Sequence, residues 1–442
     1  MIQKAVSILI CLLLVNAPAY AGSAMFDYCF ADADQAAELL RSNRDYFDRL
    51  NQNDLDYRMQ RTGATLEEMI AFAAAQTLDF TVGEKDAIDA TMDAIELVCR
   101  EQRYVLPSTE GIVFAKTTMR EECGANAYTH GTQIYLGQNL LKRAVSGNPE
   151  DAQYFREVVA HEVFHCMTRM NPDFRAAMYA ILGFTVVDED FDFSPELRDE
   201  IISNPDVEHH NAFATFTIDG VKRDCAVVIT AEKSFAEPGD NFMDHKVIGL
   251  VPVDDLGTMY SSDDASDFWD VFGRNTSYVI DPEETMADNF RFTIMRGLDD
   301  AMYESPGIIR AIDAYLKGGA EKIIGRYLGG WLNDEYRMYI RLEDDEVLCR
   351  LTQSEGDDVW ELSGCYYDTK EDCVYSMNCI HYREYIDWDT YELVQDDWSL
   401  TGLVFASLVL SDNGNTLIAS DIPYIDGSLT LTSVDDEAYF KS

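Results

Sequence analysis

The sequence predicts an α+β fold in which a helical N-terminal layer and a mixed region with a β insertion are followed by a small all-β C-terminal domain. Three observations predict it. Helical periodicity dominates residues 32–103, and short β-forming runs between Tyr104 and Leu141 lead directly into a long helix. From about Gly329 the apolar and polar residues alternate, with many Tyr, Trp and turn residues.

Taken in order, residues 1–21 read as a secretory signal. Lys4 supplies the positive start, Ala5 to Val15 the apolar stretch, and Ala19-Tyr20-Ala21 the cleavage site. The mature chain is expected to begin near Gly22 and to be exported, to a periplasm or beyond the cell. No later run is long enough to cross a membrane, so no stable membrane insertion is expected. The net charge of −46 excludes nucleic acid and anionic membrane surfaces as partners, because phosphate binding needs clustered Lys and Arg. It suits a salty medium or weak Ca2+ binding. Nine cysteines follow the signal, and Cys349, Cys365, Cys373 and Cys379 fall close together, so two disulfide bonds are expected there with pairing left open. The odd count leaves a thiol over, for which Cys166 is the candidate.

Region 22–103 should hold helices over 33–51, from Thr65 (whose capping box closes on Glu68) through 75, and over 83–101. It shows no chemistry of its own, and whether it serves as a pro-segment is open. Region 104–328 begins with strands expected at 104–106, 112–115 and 133–136. A helix from Pro149 to about Met170 follows: Asn148 is a good N-cap, Pro149 suits the first position, and Glu150 and Asp151 favour the positive helix end. It carries His161-Glu162-Val163-Phe164-His165, the pattern H-E-x-x-H. Residues four apart share a helix face, so His161 and His165 can hold one metal ion while Glu162 lies beside it as a general base. Residues 188–275 read as a β insertion, with a hairpin turning at Asp219-Gly220. The acidic stretch 188–200 and the cluster Asp263, Asp264, Asp267 do not match an EF-hand loop.

A second element completes the metal pattern. In Asp281-Pro282-Glu283-Glu284-Thr285-Met286-Ala287-Asp288, Asp281 and Pro282 start a helix, and Glu284 and Asp288 share one face. A zinc ion held by two histidines needs a third protein ligand and an open position for water. Glu284 can supply that ligand, and Asp288 can accept the free N–H of one histidine. Glu189 or Glu196, nearer the first helix, are the alternatives, because Glu284 stands 119 positions after His165 (284 − 165).

His161-Glu162-x-x-His165 with Glu284-x-x-x-Asp288 resembles the gluzincin branch of zinc metallopeptidases, of which thermolysin is the best-known member. Thr168 and Asn171 stand where a metzincin would carry Gly and His. The stretch from Pro282 to Phe290 also resembles a group of exported bacterial proteins described as zinc peptidases, although this chain has Asp281 where that group often has His. The resemblance covers roughly residues 105–320. It implies a zincin-like catalytic domain, one Zn2+ per chain and a peptide or protein substrate. It also implies hydrolysis by a zinc-activated water, with Glu162 as general base. A substrate-lining edge strand would fall near Tyr135. Tyr278 and His210 are candidate donors to the developing oxyanion.

The last helix of this region is expected at 307–317, with Gly318-Gly319 as a boundary, and residues 329–442 should form an antiparallel sandwich or barrel. The competing class is a catalytically inactive zinc-binding or acidic surface protein that works through this β module. Oligomeric state is not readable from the sequence.

Overall fold

The computed structural model describes residues 26–109, 111–324, 326–343, 346–368, 373–387, 392–411 and 414–434. The signal segment expected at 1–21 lies outside them. Two units divide the chain, 26–322 and 323 onward. Among the described residues no helix is long and apolar enough to cross a membrane.

In the first unit, strand β1 (Tyr28–Phe30) precedes helices α1 (Ala33–Ser42), α2 (Gln52–Met59) and α3 (Leu66–Ala74). Strand β2 (Thr77–Leu78) and α4 (Val82–Gln102) follow. Capping boxes open these four helices, Asp32 with Gln35, Asn51 with Asp54, Thr65 with Glu68, and Thr81 with Glu84, whereas a single helical turn at Arg44–Phe47 has no side-chain cap. The helix expected over 33–51 stops at Ser42, because Asn43 leaves helical geometry at ψ 65°. Asn51 then starts α2, which the periodicity did not reveal.

Strands β3 (Ile112–Thr117), β4 (Ala127–His130) and β5 (Gln133–Gly137) complete a sheet ordered β1-β3-β5-β4, with β2 beside β3. Both β1 and β5 run parallel to β3, whereas β4 is antiparallel to β5. Leu40, Phe47 and Met69 from the helical layer share one core with Ala115, Tyr128 and Tyr135 from this sheet. Residues 26–103 are therefore built into the unit: they contribute strands β1 and β2 and cover a sheet face. The stretch 104–106 forms no strand. Val105 N–H instead donates to Leu316 O (3.1 Å) and Tyr104 Oη to Asp313 (2.8 Å).

Helices α5 (Gln138–Ala144), α6 (Pro149–Met170) and α7 (Pro172–Ile181) come next. The insertion is an antiparallel sheet of β6 (Thr185–Val186), β7 (Ala212–Ile218), β8 (Val221–Ala231), β9 (Lys246–Pro252) and β10 (Tyr260–Ser261). At the β7–β8 turn both Asp219 and Gly220 have positive φ (51° and 76°), as a two-residue hairpin requires. Helix α8 (Pro282–Arg296) returns across α6, with Phe164 and Phe290 rings 5.4 Å apart. Helix α9 (Pro306–Ile324) runs through Gly318-Gly319, so the boundary falls later than those glycines imply.

The second unit is a closed antiparallel barrel. Its strands are β11 (Gly329–Leu332), β12 (Tyr336–Glu343), β13 (Glu346–Gln353), β14 (Asp358–Asp368), β15 (Cys373–Asp387), β16 (Glu392–Leu410), β17 (Thr416–Ser420) and β18 (Leu429–Val434), and β18 pairs back to β11. Closure removes the sheet edges. Trp331, Met338, Leu351, Leu362, Leu408 and Leu431 are buried in it. Cys349 and Cys365 are buried and in side-chain contact, but no cysteine pair among the described residues is joined in a disulfide.

Candidate metal centre

Helices α6 and α8 bring the predicted residues together. Asn148 accepts from Glu150 N–H (3.0 Å) ahead of Pro149, and Asp281 accepts from Glu283 N–H (2.8 Å) ahead of Pro282. His161 and His165 lie on one face of α6 with ring centroids 4.8 Å apart. Across from them, Glu284 Oε2 stands 3.0 Å from His161 Nε2 and 3.7 Å from His165 Nε2. The donor atoms of His161, His165 and Glu284 all lie within 4.8 Å of one another, and all three residues are buried.

The other ring nitrogens are held by carboxylates. His161 Nδ1 pairs with Asp288 Oδ1 (3.0 Å), and His165 Nδ1 with Glu283 Oε1 (2.8 Å). An ionised carboxylate only accepts, so each Nδ1 carries a proton and each Nε2 is turned towards Glu284. Glu283 also accepts from Thr168 and Tyr179 hydroxyls, and Asp288 from Thr276 while pairing with Arg291. Burial works against protonating His161, but its bonds to Asp288 and Glu284 outweigh it and hold the imidazole well above its usual range. Burial likewise opposes ionising Glu283, Glu284 and Asp288, and the facing histidines reverse that and draw all three below the ordinary carboxylate value.

Glu162 lies on the same helix and accepts from Thr129 Oγ1 (2.8 Å). The Thr129 backbone N–H donates to Asp206 Oδ1 (2.6 Å), which places the two carboxylates side by side on β4. Donor atoms of Glu162, His165 and Asp206 form a second group within 4.8 Å. Burial, then Glu162 and Glu284, push the Asp206 carboxyl well above its usual range. A cavity of about 420 Å³ opens here, lined by His161, Glu162, Asp206, Tyr278, Glu284 and Asp288 among others. Tyr278 is hydrogen-bonded to Glu284, and Asn204 Nδ2 also donates to Glu284 (2.5 Å).

Some expectations change. His210 is not at the cavity: its backbone O accepts from Phe191 N–H (2.9 Å) and its ring packs on Phe193 at 5.8 Å, because the loop ahead of β7 is tied to residues 187–191. Burial lowers its ring to about 4. Glu189 and Glu196 are exposed and belong to neither donor group, whereas Glu284 belongs to one. The acidic stretches at 188–200 and 263–267 form no three-donor group among the described residues. Tyr135 is on an inner strand paired on both sides, so the edge beside α6 is β4. Cys166 is buried under α6 without a disulfide, and burial raises its thiol.

Sequence reasoning missed Glu283, Thr129 and Asp206. Glu283 had a signal, since it is adjacent to Glu284 on the same capped helix. Asp206 had none, because its approach depends on how loop 201–206 is anchored: Ile202 N–H donates to Ile229 O, Ser203 N–H to Asp54, and Arg58 to Ser203 O.

No family model, no curated protein and no solved structure matches the chain.

Proposed function

We propose that this chain is an exported zinc-dependent peptidase with a gluzincin-like site in a zincin-like first unit. The observation that carries the reading is the pair of buried histidines whose Nδ1 atoms are each held by a carboxylate while their Nε2 atoms converge on Glu284. His165 Nε2 has no hydrogen-bond partner although the residue is fully buried, and three carboxylates (Glu162, Asp206, Glu284) crowd around it. Such a set is costly without a cation, and two neutral imidazoles with one carboxylate are the donors zinc takes at catalytic sites. His161, His165 and Glu284 would hold it, and Glu283 and Asp288 would fix the ring orientations.

Bound zinc supplies Lewis acidity, which makes water more acidic and polarises a carbonyl. Glu162, oriented by Thr129, takes a proton from water and returns it to the leaving amine. Tyr278 at the cavity wall is the candidate donor to the carbonyl oxygen. The peptide would add to the edge of β4. In an oxidising compartment Cys349 and Cys365 are the pair we expect to form a disulfide.

The test is metal content of the purified protein by elemental mass spectrometry, with Glu284→Ala, Glu189→Ala and Glu162→Gln variants. We expect one zinc per chain, lost in Glu284→Ala, kept in Glu189→Ala, and kept without casein cleavage in Glu162→Gln. A folded wild-type protein that takes up no zinc refutes the reading. Bound zinc without any cleavage would favour an inactive binding protein acting through the barrel.

A further inference from the structure

The edge of β4 is open at one end and closed at the other. Asn126 O accepts from Gly137 N–H on the β5 side (2.9 Å), and main-chain groups alternate sides along a strand, so 127, 129 and 131 face away from the sheet. Ala127 lines the cavity. Further along, two acidic side chains occupy the outward amides: Asp206 takes Thr129 N–H (2.6 Å) and Glu208 takes Gly131 N–H (3.0 Å). Gly131 O is also covered, by Arg169 Nη1 at 3.3 Å. A peptide added to this edge can pair near Ala127 but cannot continue past Thr129.

Direction then decides which end of the peptide meets the block. An antiparallel partner, the more stable pairing, has its amino end towards Thr129. Charge agrees. A carboxylate terminus at that end would meet Glu162 and Asp206, whereas an α-ammonium group would be paired; Glu208, further along, is already paired with Arg169 (3.1 Å). Of the other acids of the cavity, Glu122 and Asp288 already face Arg58 and Arg291, and Glu284 faces His161. The spacing fits one residue: carboxylate oxygens of Asp206 and Glu162 lie within 4.8 Å, and one extended residue spans about 3.3–3.6 Å. Since Thr129 uses Oδ1 of Asp206, its second oxygen is the acceptor offered to the ligand.

We propose that the site removes single residues from the free amino end of peptides, with Asp206 receiving the α-ammonium group. This rests on the peptidase reading above. Water adds its hydroxyl to the first carbonyl carbon, the bond from that carbon to the next residue's nitrogen breaks, and the proton held by Glu162 passes to that nitrogen.

The experiment compares one pentapeptide with a free and with an acetylated amino end, incubated with the zinc-loaded wild-type chain and followed by mass spectrometry. We expect stepwise loss of the first residue from the free peptide, and at least about a hundredfold slower cleavage of the acetylated one, because a site built for a donor rejects an analogue lacking it. Calorimetric titration of the Glu162→Gln protein with a dipeptide and its acetylated form gives a readout without turnover. The free amine should bind about tenfold tighter, and Asp206→Asn added to Glu162→Gln should abolish the difference. Cleavage of both pentapeptides at an internal bond, or equal binding of both dipeptides, overturns the proposal while leaving a peptidase. No cleavage of either pentapeptide by a zinc-bearing chain overturns both readings.

Discussion

Replacing Glu283 by Gln tests whether the carboxylates behind the histidines set the site. Glu283 is 4 % exposed and receives three donors: His165 Nδ1 at 2.8 Å, the Thr168 hydroxyl and the Tyr179 hydroxyl. A glutamine fills the same space but offers one acceptor oxygen and a donor NH2. His165 Nδ1 and the Thr168 hydroxyl both donate to Oε1 and the Tyr179 hydroxyl to Oε2. The amide therefore either turns its NH2 on Tyr179 and leaves His165 a neutral acceptor, or turns it on His165. Either way the charge-assisted bond to Nδ1, about 1.5–3 kcal/mol, is weakened or lost. In the second case the imidazole must move its proton to Nε2, the atom a metal needs, to recover a bond; in the first the neutral acceptor holds the ring less firmly. Partners of this kind govern about 10–100-fold in metal affinity, or about 1.4–2.7 kcal/mol. The assay is competition for zinc against a chromophoric chelator, with urea unfolding of the metal-free protein alongside. We expect Glu283→Gln to weaken zinc binding within that range, and Asp288→Asn to act similarly through His161. Wild-type zinc affinity in Glu283→Gln would refute the reasoning.

Three further outcomes are expected. Arg58 is 1 % exposed and pairs with buried Asp54 (2.7 Å) and Glu122 (2.9 Å), so Arg58→Met should cost about 3–5 kcal/mol in urea unfolding, by stranding buried carboxylates. Burial lifts Glu122 to about 7 against the pull of Arg58 and the Tyr46 hydroxyl, with Glu121 adding to the rise. A raised folded value means this contribution is full below the unfolded pKa of 4.5 and is lost as pH climbs through 7, a fall of about 3 kcal/mol that Glu122→Gln should remove from the pH–stability curve. At Gly137 an added Cβ would stand 2.8 Å from Met119 Cγ and 2.9 Å from Asn126 O, so Gly137→Ala should lower stability by about 1–3 kcal/mol in thermal melts; an unchanged midpoint would show that β4 and β5 can part there.

The local signals determined a good deal. Caps and helix periodicity placed α3, α4 and α6 to within a residue or two and marked the start of α8, and Asp219-Gly220 marked its hairpin, because hydrogen bonds between near neighbours decide such features. Alternation likewise marked the C-terminal unit as β, though not that its eight strands close. The spacing of His161, His165, Glu284 and Asp288 foretold which faces of α6 and α8 would meet. Tertiary structure alone decided the rest. It made β4 rather than β5 the edge strand, since order in a sheet depends on pairing between distant segments. It carried His210 away, because the strand beside it is tied to residues 187–191. It also set Asp206 against Glu162 by anchoring loop 201–206 to Asp54, Arg58 and Ile229, contacts far apart in the chain that leave no local pattern to read.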